Sequence, residues 1–157
     1  MSEALIRQDI KATLEGVYQI GCVYDYETWS STWDQYLNQY KVTIDEHDVI
    51  RGWTITVTEI TVTGFIAGGI RNTSNIRTYN YSIKGYYGLS DAGATEKEHL
   101  KLALTVMDAL DARALTSTTL GSITNAGVAQ LVSFGVIPFG DALCHYAEIT
   151  QTITEST

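Results

Sequence analysis

The chain has 157 residues, enough for one domain with a substantial core. Ten basic against eighteen acidic side chains give a net charge of −8 and a pI near 4.7, which argues against a nucleic-acid grip built on clustered Lys and Arg and against anionic membranes. Two cysteines, Cys22 and Cys144, are too few for a disulfide scaffold, and each reads as a small buried hydrophobe in an apolar strand context.

Ser2 is placed to N-cap a first helix whose one face carries Leu5, Ile6, Ile10, Thr13, Leu14 and Val17, with Gly16 as its stop. Met1-Ser2-Glu3 has no basic region, so an intracellular, reducing origin is expected. Val17 to Tyr26 reads as a short strand. Trp29, Trp33, Tyr36, Leu37 and Tyr40 then recur at helical spacing and predict a short helix or ordered insert that packs its two tryptophans. An exposed acidic loop with Asp45, Glu46 and Asp48 is expected to follow.

Trp53, Ile55 and Val57 alternate with Thr54, Thr56 and Thr58, the pattern of a half-buried strand. The phase slips at Glu59, because Ile60 and Val62 have the other parity, and this predicts a β-bulge near Glu59. Gly64 to Asn75 reads as a long hairpin tip that is apolar yet glycine-rich, more fitting for a contact site than for idle loop. The return strand places Tyr79, Tyr81, Ile83, Gly85 and Tyr87 on one face.

A second helix is expected from Thr95, as N-cap with Glu98 completing a capping box, and its buried stripe is Leu100, Ala103, Leu104, Met107, Leu110 and Ala114. Ser117 to Gly140 carries no charge, but its Ser, Thr, Asn, Gln and Pro residues and four glycines make it a poor membrane span. It reads as a buried strand plus an uncharged contact loop. The chain closes in a hairpin, with Val128 to Val136 as one arm, Pro138-Phe139-Gly140-Asp141 as the turn and Ala142 to Thr154 as the other arm. Leu143, His145, Ala147, Ile149 and Ile153 share a face of the last strand. The whole is a single α+β domain over 1–157, a mostly antiparallel sheet packed against two main helices in the order α-β-(short α)-β-β-α-β-β.

The residues offer little chemistry. Cys144 and His145 are adjacent on a strand, so their side chains point to opposite faces and cannot pair. His99 follows Glu96 by three residues, but no second His completes a metal site. Asp45-Glu46-His47-Asp48 fits no ordered ligand spacing and reads as a solvated acidic segment. Gly64, Gly68 and Gly69 precede no Lys-Ser/Thr and do not make a phosphate loop. No catalytic, cofactor-binding or metal-binding residue is expected, and no cofactor. A chain whose strength lies in packing points to a protein that binds its own copies.

The segments Ile6 to Leu14, Trp53 to Val62, Tyr79 to Tyr87, Leu100 to Leu110 and Tyr146 to Glu155 follow an order that resembles the tail terminator (tail-completion) proteins of lambda-like long-tailed phages. The resemblance implies a virion protein, assembled in the host cytoplasm, that forms a hexameric ring on the finished tail tube. Such a ring stops tube polymerisation, meets the head-completion proteins and lets DNA pass without binding it specifically. A head-to-tail ring needs two different patches per subunit. The apolar tip with Phe65, Ile66 and Ile70, and the uncharged region with Leu120, Ile123, Val128 and Leu131, are the expected patches. Asp45, Glu46 and Asp48 are the expected lumen or rim charges. A head–tail connector or minor tail protein is the alternative within this class. Outside it stand a small-molecule-binding α+β domain with its pocket on the Tyr79/Tyr81 face, and a regulatory protein-binding module.

Overall fold

A computed structural model describes residues 3–64, 75–90, 93–116, 123–139 and 142–156. The elements run α1 (Glu3–Glu15), β1 (Cys22–Tyr24), α2 (Trp33–Gln39), β2 (Lys41–Ile44), β3 (His47–Gly64), β4 (Asn75–Gly88), α3 (Thr95–Thr116), β5 (Ile123–Ala126), β6 (Gln130–Phe139) and β7 (Ala142–Ser156). The α+β class follows the sequence reading, and two short strands, β2 and β5, are added to the expected element order.

Three long strands rich in β-branched and aromatic residues, β3, β4 and β7, pair antiparallel and form the middle of a seven-stranded sheet. Its order is β1-β3-β4-β7-β5, with β2 also beside β3 and β6 also beside β7. β1 is parallel to β3, with Cys22 opposite Gly52, and every other pairing is antiparallel. The predicted bulge is present: the β3–β4 register steps from Val57 to Glu59 and leaves Thr58 over. Ile60 and Val62 thereby stay on the side of Trp53, Ile55 and Val57, since Ile60 faces Tyr79 as Val57 faces Tyr81.

The main core lies between this side of the sheet and two helices. α1 buries Ile6, Ile10 and Leu14, and α3 buries His99, Ala103, Val106 and Leu110. Beneath them lie Trp53, Ile55, Tyr79, Tyr81, Ile83, Ala147, Ile149 and Ile153. Arg113 of α3 ties the helices together, pairing with Asp9 of α1 and donating to Gln151 Oε1 of β7 at 2.9 Å. The other side carries a smaller aromatic core of Tyr40, Phe139 and Cys144, flanked by Tyr36, Leu37, Tyr86 and Ile50. The Tyr40 hydroxyl is hydrogen-bonded with Thr28 Oγ1 at 3.0 Å and Thr54 Oγ1 at 2.8 Å, which pins the insert to the sheet. Cys144 thus enters one core and His145 the other, as strand alternation requires.

Several local expectations are corrected. Residues 17–20 form turns, and the strand expected over Val17 to Tyr26 shrinks to Cys22–Tyr24, because Gln19 and Gly21 take positive φ and break extension. The acidic segment is exposed as expected, and Asp45 and Glu46 form a two-residue hairpin turn in it, both at positive φ, with Ile44 facing His47. Thr95 is not a free N-cap: it is within α3, its hydroxyl is engaged with Ser90 and His145, and Glu98 completes no capping box. The α3 stripe is turned from the expected one, so that Leu104 is exposed while His99 and Val106 are buried. The last hairpin is tighter than expected, with Pro138 and Phe139 inside β6 and only residues 140–141 between Phe139 and its partner Ala142. Val128 precedes β6 rather than opening it. The Ser2 cap and the 65–74 tip lie outside the described residues.

Two outcomes test this core. A Cβ added at Gly85 would sit 2.6 Å from the Trp53 ring, so Gly85→Ala should cost about 1–3 kcal/mol by overpacking in urea denaturation. His99 is fully buried, and desolvation, aided by the charges of His145 and Arg51, lowers its pKa from 6.5 to about 4. The unfolded chain therefore takes up this proton first, and stability is lost as pH falls from 6.5 towards 4. Across that window the wild type should lose about 3 kcal/mol more than His99→Phe, from a shift worth about 1.4 kcal/mol per pKa unit.

Candidate assembly surfaces

His99, His145 and both cysteines have structural surroundings. His145 Nε2 lies 2.9 Å from Thr95 Oγ1, and the His99 ring stacks on Phe134 at 5.4 Å inside the core. Burial pushes both thiols up, and Cys22 donates to the carbonyls of Gln39 and Arg51, so neither cysteine is activated as a thiolate. Among the described residues no three His, Cys, Asp or Glu side chains cluster to hold a metal ion. Among the same residues no helix is long and apolar enough to cross a membrane.

The features that face outward are edges and apolar side chains. β3 is flanked by β2 up to Ile50 and by β1 at Gly52 to Thr54, and from Ile55 to Gly64 its outer edge pairs with no described strand. Ile60 and Val62 are exposed on that arm. On the far side of the sheet the outer edge of β6 likewise pairs with no described strand, with Val132 and Val136 exposed and Val128 just before it. Both edges are interrupted, β3 by the bulge at Thr58 and β6 by a bulge at Val132 and by Pro138. Such breaks are the ordinary defence of an open edge against indiscriminate pairing.

The residues expected at the interface fall in different places. Phe65, Ile66, Ile70 and Leu120 lie outside the described residues. Ile123 opens β5 opposite Glu155. Val128 is 71% exposed, whereas Leu131 pairs with Ile149 and packs against the main core. Asp45, Glu46 and Asp48 are brought together on one exposed hairpin, where Asp48 accepts from Thr43 Oγ1 at 2.8 Å and Asp45 from Gln19 Nε2 at 3.2 Å. The rings of Tyr79 and Tyr81, which the small-molecule reading would need as a pocket wall, are buried in the main core.

Sequence reasoning missed the tryptophans. Trp29 and Trp33 do not pack inward: they are 78% and 62% exposed, and with Ser30, Ser31, Thr32 and Tyr36 they line a concavity of about 300 Å³. Thr32 caps the short α2 by accepting from Gln35 N, and this turns Trp33 outward while Tyr40 takes the buried position. No protein-family model matches the sequence, and no curated protein is significantly similar to it.

Trp29 and Trp33 should carry the acrylamide-quenchable fluorescence, and Trp53 a shielded, blue-shifted remainder. Trp29→Ser should change stability by no more than about 0.5 kcal/mol, the scale of a surface substitution. A loss several times larger would mean that the indole is packed.

Proposed function

We propose that this protein is a structural subunit that joins its own copies head to tail through the two open sheet edges, and that the resulting ring is a tail terminator of a long-tailed phage or prophage. The observation that carries the proposal is the asymmetry of the edges. One sheet ends in the β3 arm with Ile60 and Val62, and on the opposite side in β6 with Val132 and Val136. Two different sticky edges on one rigid sheet favour a heterologous contact, and heterologous contacts close into rings when the rotation between subunits allows. The α+β order that resembles tail terminators, and side chains devoted to packing rather than reaction, support the same reading. The ring caps the tail tube, stops its growth and meets the head-completion proteins. A charge of −8 on each subunit lets DNA slide through without sticking. In this assembly the hairpin of Asp45, Glu46 and Asp48 stands at the lumen or rim.

Light scattering across a concentration series, with negative-stain imaging, tests the ring. Wild type should give a closed ring with a central hole, alone or on tail-tube protein. Ile60→Lys with Val62→Lys, or Val132→Lys with Val136→Lys, should each give folded monomers. A mixture of the two variants should stop at dimers, because only one interface between them stays intact. Monomers that persist even on tube ends would refute the proposal. Reversing Asp45, Glu46 and Asp48 to Lys should leave ring size unchanged but make the ring retain DNA in a salt-dependent way. Unaltered DNA passage would remove these residues from the lumen.

A further inference from the structure

Arg51 is the buried charge that the assembly reading leaves unused. It lies on β3 opposite Tyr87 of β4 and is only 8% exposed. Its Nη1 donates to the Gln19 carbonyl at 3.2 Å, its Nη2 donates to the Tyr87 hydroxyl, and the guanidinium carbon sits 4.1 Å from the centre of the Tyr87 ring. Its Nε has no hydrogen-bond partner. A buried guanidinium is costly unless an anion answers it, and among the described residues this one meets none at ion-pair distance.

The residue lines a cleft of about 420 Å³ between the start of β3, the end of β4, the α3 entry and the last hairpin. That size is within the range of small-molecule sites, about 300–1,000 Å³. Val49, Ile50 and Leu143 give it apolar walls, and Ser90 and Lys41 add polar groups. A second hollow of about 240 Å³, lined by Lys101 and Glu98, meets the other side of the same Arg51–Tyr87 pair.

We infer that this cleft binds a carboxylate carried on a compact apolar body. Gln19 and Tyr87 each take one hydrogen of an Nη group, and the hydrogens left on Nη1 and Nη2 are the donors for a carboxylate, a stronger acceptor than either. The apolar walls take the hydrocarbon part, and Asp48 in the cleft lining disfavours a multiply charged phosphate. The carboxylate is supplied either by a free organic acid or by the C-terminus of a polypeptide, whose terminal side chain fills the same apolar space. Its lining includes none of the edge residues Ile60, Val62, Val132 and Val136, so its test does not depend on ring formation.

The test is calorimetric titration and thermal shift on wild type and on the β6-edge variant, with hexanoate, benzoate, hexanamide, inorganic phosphate, and a short peptide ending in leucine as free acid or amide. Hexanoate or benzoate should bind and raise Tm, and hexanamide should not. Arg51→Gln should weaken binding at least about tenfold, the scale of one charge-assisted hydrogen bond. Leu143→Trp, on an exposed wall residue, should close the cleft and abolish binding with wild-type Tm, which keeps the test valid if Arg51→Gln fails to fold. Binding of the free-acid peptide alone assigns the cleft to a polypeptide terminus, and binding of the small acids assigns it to free ligands. No carboxylate-specific shift up to about 10 mM, a concentration that reaches even weak sites, overturns the inference. So does tightest binding by phosphate, or undiminished binding in Leu143→Trp.

Discussion

The fit of Trp53 over Gly85 is the contact on which the rest of the molecule depends. The two residues face each other across β3 and β4, and the indole occupies the space where any Cβ at position 85 would lie, 2.6 Å from a ring carbon. A one-residue slip would set the indole against Tyr86 or Lys84 in place of the glycine, so this pair fixes the register of the central ladder. The same indole comes within 6.2 Å of His99 on α3. His99 in turn lies against Tyr87 of β4, Phe134 of β6 and His145 of β7. One side chain thus ties β3 and β4 to the helix, and through it to the last hairpin.

The position of Arg51 follows from that register. With Trp53 opposite Gly85, Arg51 must face Tyr87, and the guanidinium lies along the tyrosine ring beside the aromatic cluster. Its charge helps to hold His99 in the neutral state. His145 takes the hydroxyl of Thr95, which itself closes the loop from Ser90 into α3. The entry of α3, the end of β4 and the last hairpin are therefore fixed by one polar set, and the cleft at Arg51 is the space left where they meet.

Long-range alternation made the core strands legible. The Tyr79, Tyr81, Ile83 and Tyr87 face is buried as read, and the parity slip at Glu59 marks a real bulge because apolar residues must stay on one side of the sheet. The failures have physical causes. Two apolar stripes adjoin on α3, and His99 decides between them by stacking on Phe134, thirty-five residues later, a contact that no local pattern announces. The turn at Asp45 and Glu46 uses positive φ without glycine or asparagine, so its usual signal is missing. Trp29 and Trp33 have the spacing of a buried face, yet the aromatic core on that side is already filled by Tyr36, Tyr40, Tyr86 and Phe139. No local pattern marks Arg51, whose burial arises from residues distant in sequence, Gln19 and Tyr87 among them.

Edge geometry and charge then act against each other in the proposed assembly. Copies carrying −8 each repel, most strongly at low salt, so contact has to come from short-range apolar and backbone pairing. The β3 arm from Glu59 to Gly64 suits this, because it is exposed along its whole length and offers both ladder groups and the Ile60 and Val62 side chains. Its bulge, and the bulge and proline on β6, limit how far any foreign strand can extend along either edge. They also bend and twist the strands that carry them. A flat sheet with two sticky edges would propagate as an open fibre, whereas a sheet bent at both edges adds a fixed rotation at every joint. That rotation is what an edge-paired assembly needs in order to close.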